Sequence, residues 1–246
     1  MEKRSFDLWS PQLRNRRRVD VYLPASYGEG RRRYPVVYMQ DGQNLSDPRI
    51  AFCGNTWHID DGLPWLAGRG IEPIVVGIHN TGGRLSEYSP FPDSKHGGGH
   101  GDRYARFLID TVKPRIDADF RTRKDRDSTV IGGSSMGALI SLYLFFRRPS
   151  PFGGALVMSP SIWFGGREVL AYVQRSRSTR GRIYLDVGTA EGKGTLRDAR
   201  ALNRLLKKKG YGRDALRFVE AEGHQHREAD WAWRFPHALE FLLRER

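Results

Sequence analysis

The chain has 246 residues, 39% of them hydrophobic, a formal net charge of +13 and one cysteine, Cys53. That length suits one large α/β domain or two small ones. With no internal repeat and no linker rich enough to split the chain, one domain over 1–246 is expected, and a single thiol excludes an intrachain disulfide framework. Residues 1–10 carry no apolar run of the signal-peptide kind, and no window reaches the ~18 apolar residues of a membrane span. A cytoplasmic protein without membrane insertion is therefore the expectation. The basic residues cluster at 14–18, 31–33 and 207–209 but are otherwise spread over the chain. No nucleic-acid-binding motif accompanies them, so they read as a solvated face with no specific nucleic-acid partner.

Apolar and β-branched runs predict strands at 18–23, 35–40, 73–79, 128–131, 154–158, 182–187 and 216–220. Apolar periodicity predicts helices near 57–67, 103–112, 135–146, 167–175, 195–208 and 227–243. The last should be reset at Pro236, since proline is best tolerated in a first helical turn. This alternation implies βαβ units and a largely parallel sheet covered on both faces. The turn signal at 27–30 suggests that the first of these strands pairs antiparallel with the second. Residues 80–102, rich in Gly, Ser and Pro, form the one long irregular segment, and such loops are commonly functional.

Gly133-Ser134-Ser135-Met136-Gly137 falls between a predicted strand and a predicted helix. Strand, Gly-x-Ser-x-Gly, helix is the setting of a nucleophile elbow, and Ser135 is the candidate nucleophile; a plain glycine-rich turn is the alternative. Three histidines follow it, His224, His226 and His237. His237 falls in the terminal helix, whereas His224 and His226 follow the last strand, where the base belongs. As a His-x-His pair they could ligate a metal, but third and fourth ligands with matching spacing are missing, so no metal is expected. For the acid, position favours Glu191 in the loop after 182–187 over Asp186 within the strand and Asp198 in the next helix. One oxyanion donor should be the N–H of Met136, and the second should come from the loop 41–45. His96-Gly-Gly-Gly-His100 reads as a flexible loop with a gating role. Trp57, His79 and Trp163, beside Phe164, are candidate substrate contacts.

Several separated motifs resemble the putative-esterase group of α/β-hydrolases, which includes enterochelin and feruloyl esterases. They are Asp41-Gly-Gln-Asn-Leu45 after its strand, the run from Ile74 to Asn80, the elbow itself, Met158-Ser-Pro-Ser-Ile-Trp163, Leu185-Asp-Val-Gly-Thr-Ala-Glu191 and His226-Arg-Glu-Ala-Asp-Trp231. The resemblance implies an α/β-hydrolase fold and ester hydrolysis without a cofactor. It implies His226 rather than His224 as the base, and the Gln43 N–H as the second oxyanion donor. An acyltransferase with the same triad and a non-catalytic binding protein on this scaffold are the alternatives. The sequence sets neither the physiological ester nor an oligomeric state.

Overall fold

The computed structural model describes residues 1–244. Its main sheet contains β1 (Glu2–Ser10), β2 (Asn15–Leu23), β3 (Val36–Gln40), β4 (Ile74–Ile78), β7 (Thr129–Ser134), β8 (Gly154–Met158), β9 (Arg182–Gly188) and β10 (Leu216–Ala221). A separate two-stranded ribbon pairs β5 (Pro92–Asp93) with β6 (Gly97–Gly98). The order across the main sheet is β1-β2-β4-β3-β7-β8-β9-β10. From β4 through β3 to β10 every neighbour is parallel, while β2 runs antiparallel to both β1 and β4.

The helices are α1 (Ile59–Ala67), α2 (Arg84–Glu87), α3 (Gly101–Phe107), α4 (Lys113–Asp119), α5 (Met136–Arg147), α6 (Glu168–Arg175), α7 (Lys193–Lys208) and α8 (Glu228–Leu243). β3 is buried along its whole length, and its side chains divide between two cores as strand alternation requires. Val36 and Tyr38 join Leu139, Leu142, Val173 and Leu202 under α5, α6 and α7. Val37 and Met39 join Leu63, Leu66, Phe235 and Leu239 under α1 and α8. None of the described helices is long and apolar enough to cross a membrane.

Four expectations need correction. β2 does not pair with β3; it pairs with β1 and β4, so β3 lies inside the sheet, as its complete burial demands. β1 was not expected, because its residues are mostly exposed at a sheet edge and it opens on the charged Glu2, Lys3 and Arg4. The helix expected over 103–112 passes through a π-helical turn, Leu108–Val112, and continues as α4. Finally, α8 runs through Pro236 without a reset, with that ring packed against Gly62 of α1.

Segment 80–102 is tied down along its length rather than free. The Ser89 carbonyl accepts the Gly99 and Gly101 N–H groups at 2.9 and 3.0 Å, and the Ser86 carbonyl accepts that of His100 at 2.9 Å. A buried ion pair, Arg17 Nη2 to Glu87 Oε2 at 2.5 Å, fastens α2 to β2. The run His96–His100, expected as a flexible loop, holds β6 and leads into α3.

Candidate active site

Parallel strands deliver the loops after their C-terminal ends to one edge of the sheet, where open α/β sheets bind ligands. Here those loops contain Asp41 after β3, Ser135 after β7, Ser159 after β8, Glu191 after β9 and His226 after β10. Ser135 sits between β7 and α5 at φ 58°, ψ −122°. A non-glycine residue in such a region costs about 1–3 kcal/mol and must be held by its surroundings. The Ser135 N–H donates to the Met158 carbonyl at 3.0 Å, and the Ser135 carbonyl accepts from Leu139 and Ser161, each at 3.1 Å. Gly137 has to be glycine, since a Cβ there would lie 2.9 Å from Gln40 Cβ at the end of β3.

After β3 the chain reverses at Asp41, φ 57°, ψ 47°, into a short 3₁₀ turn, Gly42–Asn44. Asp41 Oδ1 accepts from Asn80 Nδ2 at 2.6 Å, and Arg84 grips both carboxylate oxygens at 2.8 and 2.7 Å. The Gln43 side chain accepts the Asn80 N–H at 3.1 Å. Among the described residues, neither the Gln43 nor the Met136 N–H is engaged by a backbone partner. Met136 opens α5, so its N–H has no acceptor further back in the helix.

Glu191 Oε2 meets His226 Nδ1 at 2.7 Å, with the carboxylate buried and the imidazole 41% exposed. Glu191 Oε1 accepts the Gly188 N–H at 2.6 Å and the Ser159 hydroxyl at 2.5 Å. Burial works to raise the Glu191 carboxyl, but the hydrogen bonds from His226, Ser159 and Gly188 prevail and hold it below the usual glutamate range. The other candidates are engaged elsewhere. Asp186 is fully buried against Arg234 at 2.8 Å, and burial pushes it up to about 6 despite that cation. Asp198 pairs with Arg167 at 2.9 Å. His224 Nδ1 faces Arg234 Nη1 at 2.9 Å, and His237 packs edge-on against Trp65.

Ser135 and His226 line one cleft of about 430 Å³, together with Gln43, Ile50, Phe52 and Glu228. The Ser135 hydroxyl is hydrogen-bonded to Ser161 Oγ at 3.0 Å rather than to His226. No group of three or more His, Cys, Asp or Glu side chains among the described residues could hold a metal.

The family described as "Putative esterase" matches residues 10–242. The chain belongs to that family. It is a carboxylic ester hydrolase with the α/β-hydrolase fold. This esterase is 28% identical over 239 residues to the uncharacterized protein YbbA of Bacillus subtilis (strain 168), covering 92% of each chain. It is 30% identical over 152 residues to an endo-1,4-β-xylanase/feruloyl esterase of Xylanibacter ruminicola; the match covers 59% of this chain and 20% of that protein. Among solved structures, an IroE-like serine hydrolase from Shewanella oneidensis superimposes with a TM-score of 0.78 at 20% identity. That superposition covers 97% of this chain and 80% of the other, and it supports the fold alone.

None of the three expected substrate contacts lines the esterase's cleft. Trp57 is buried between Trp231 and Phe235, so its ring serves the core. His79 turns its Nε2 to the buried Asp20 at 2.9 Å. Trp163 is half exposed and lies against His96 and Phe164. Two larger grooves, of about 770 and 780 Å³, open around residues 176–182 at the N-terminal end of β9, where Ser135, His226 and Glu191 are absent from the lining. The 430 Å³ cleft is the chemically equipped one despite its smaller size. The sequence places Ser159 and Ser161 in the motif 158–163, after the strand beside the elbow, and Arg84 in the loop after β4, without marking a role for any of them. Arg234 carries no such signal.

Proposed function

We propose that this chain is a serine esterase that cleaves small carboxylic esters through an acyl-enzyme, with Ser135 as nucleophile, His226 as base and Glu191 as its orienting acid. The observation that carries the reading is the 2.7 Å contact between His226 Nδ1 and Glu191 Oε2, at a cleft that also holds the elbow serine. A carboxylate there keeps the proton on Nδ1 and leaves Nε2 as the basic nitrogen. The reaction requires the Ser135 hydroxyl to turn from Ser161 to that nitrogen. His226 then takes the proton as the oxygen attacks the ester carbonyl. Gln43 and Met136 N–H groups receive the developing oxyanion, each worth about 3 kcal/mol. His226 protonates the leaving alcohol, then deprotonates the water that releases the acid.

The feruloyl-esterase relative and the apolar side chains Ile50 and Phe52 at the cleft favour esters with an aryl or extended apolar group, of the enterochelin- and feruloyl-esterase kind. The test is hydrolysis of p-nitrophenyl acetate and butyrate by wild type and Ser135→Ala. A loss of at least about 10⁴-fold in the variant is expected; a variant that kept most of the activity would overturn the assignment.

A further inference from the structure

Ser159 lies directly beneath the acid–base pair, with no exposure, at φ 44°. A serine hydroxyl has one hydrogen to donate and two lone pairs to accept with. Both acceptor sites are occupied by groups that can only donate: Trp231 Nε1–H at 2.9 Å and Arg234 Nη2–H at 3.3 Å. The hydroxyl hydrogen is left to Glu191 Oε1, 2.5 Å away. Its direction is therefore set by elimination.

The surrounding groups fix this centre in turn. Asp186 Oδ1 accepts the Ser159 N–H at 3.0 Å, and its Oδ2 accepts Arg234 Nε at 2.8 Å. Neither Asp186 nor the Arg234 side chain has appreciable solvent access. Strand β9 supplies Asp186 and the loop after it Glu191, the loop after β8 supplies Ser159, and α8 supplies Trp231 and Arg234. Three separate parts of the chain thus converge on one oxygen.

We propose that Ser159 is a positioning residue: its hydroxyl, aimed by Trp231 and Arg234, holds Glu191 Oε1 so that Oε2 is the oxygen presented to His226. With the Gly188 N–H also on Oε1, that oxygen is committed to two donors and the carboxylate cannot swing about its Cγ–Cδ bond without breaking both. The role rests on the reading of Ser135, His226 and Glu191 as a triad. Ser159 does not touch the substrate in this scheme; it acts through Glu191.

The test uses Ser159→Gly and Ser159→Ala. Glycine adopts φ 44° without the Cβ penalty that alanine keeps, so the two differ in backbone strain while both lack the hydroxyl. The expected result is a fall in kcat of about 10- to 100-fold in both, as for loss of a hydrogen bond to a charged group, with KM close to wild type. A purely structural role would instead make activity follow melting temperature, with glycine the better enzyme. Trp231→Phe keeps the aromatic packing against His226 but removes one of the two aiming donors, and should lower kcat by about 3- to 10-fold. Wild-type kcat in Ser159→Gly, or a loss confined to KM, overturns the proposal. Should Ser135→Ala, run in parallel, remain active, the triad itself falls; Ser135-dependent activity with unaffected Ser159 variants removes only this role.

Discussion

Arg84 binds Asp41 through two parallel contacts, Nε to Oδ1 at 2.8 Å and Nη2 to Oδ2 at 2.7 Å. Asp41 occupies the left-handed turn that ends β3, one residue before Gly42 and two before Gln43. The fork therefore fixes the turn from which the Gln43 N–H is presented. An arginine fork sets direction as well as charge, which a lysine ammonium does not. Arg84→Ala should lower kcat by about 10- to 100-fold, somewhat less than outright loss of an oxyanion donor. Arg84→Lys should recover melting temperature more fully than it recovers kcat. Equal recovery of both would show that charge alone matters at this position.

Gly42 offers a harsher probe of the same turn. A Cβ at this position would lie 2.4 Å from the backbone carbonyl carbon of Gly77 in β4. Backbone cannot rotate aside as a flexible side chain can, so Gly42→Ala has to push the turn off the sheet. Overpacking of this kind costs about 3 kcal/mol, or roughly 6–12 °C in Tm for a chain of this size. Activity should fall with it, because the displaced segment carries Gln43. Thermal melts and initial rates on p-nitrophenyl acetate measure both, and an undisturbed variant would mean that the turn sits further from β4.

The uneven legibility of these features has a physical cause. Strands β3, β4 and β8 could be read directly because a strand buried on both faces is a near-continuous apolar run. β1 could not, since at a half-exposed edge its pairing with β2 uses backbone groups and tolerates Glu2, Lys3 and Arg4. As candidates, Ser135, Glu191 and the pair His224 and His226 were reachable because each follows a recognisable strand, which is local information, whereas His226 over His224 came from the family resemblance alone. Choosing among Asp186, Asp198 and Glu191 by residues alone was a matter of position, and the buried Arg234 facing Asp186 lies 48 residues away in sequence. Trp57 misled for the converse reason: an aromatic residue after the oxyanion loop is equally suited to the cleft and to the core, and the packing of α8 decides for the core.

Glu191 makes a pH prediction with a definite sign. Its carboxyl lies below the unfolded value of 4.5, since the hydrogen bonds of His226, Ser159 and Gly188 override burial. A depressed folded pKa contributes stability that is full above the unfolded value and is lost as pH falls through the folded one. Asp186 has the opposite sign: pushed up to about 6, it contributes stability that is full below its unfolded value of 3.8 and is lost as pH rises through about 6. The wild-type curve mixes the two, and the difference between wild type and Glu191→Gln reports chiefly the first, since the Glu191 charge contributes only the smallest of the causes acting on Asp186. That difference in Tm should be largest near neutral pH and shrink on acidification below about pH 4. A gap that widens in acid would contradict the depressed carboxyl. In activity, Glu191→Gln should lower kcat by about 10³- to 10⁴-fold by favouring the wrong histidine tautomer.

The mouth of the cleft makes the most direct prediction about substrate choice. Phe52 is 69% exposed and Ile50 47% exposed, although both are large apolar side chains. Their segment is tied to the oxyanion loop, since Asn44 Oδ1 accepts the Phe52 N–H at 2.9 Å while Asn44 Nδ2 donates to Glu228 at 3.3 Å. An exposed side chain contributes little to folding, so Phe52→Ala should stay within about 0.5 kcal/mol of wild-type stability. Apolar area that a bound ester would cover is worth about 1–2 kcal/mol, so KM for butyrate, longer acyl or cinnamoyl esters should rise about 5- to 30-fold. Acetate, too short to reach the lip, should keep its wild-type kcat and KM. A uniform loss across acetate and the longer esters would place the effect on the oxyanion loop through Asn44, and no change on any of them would remove Phe52 from substrate recognition.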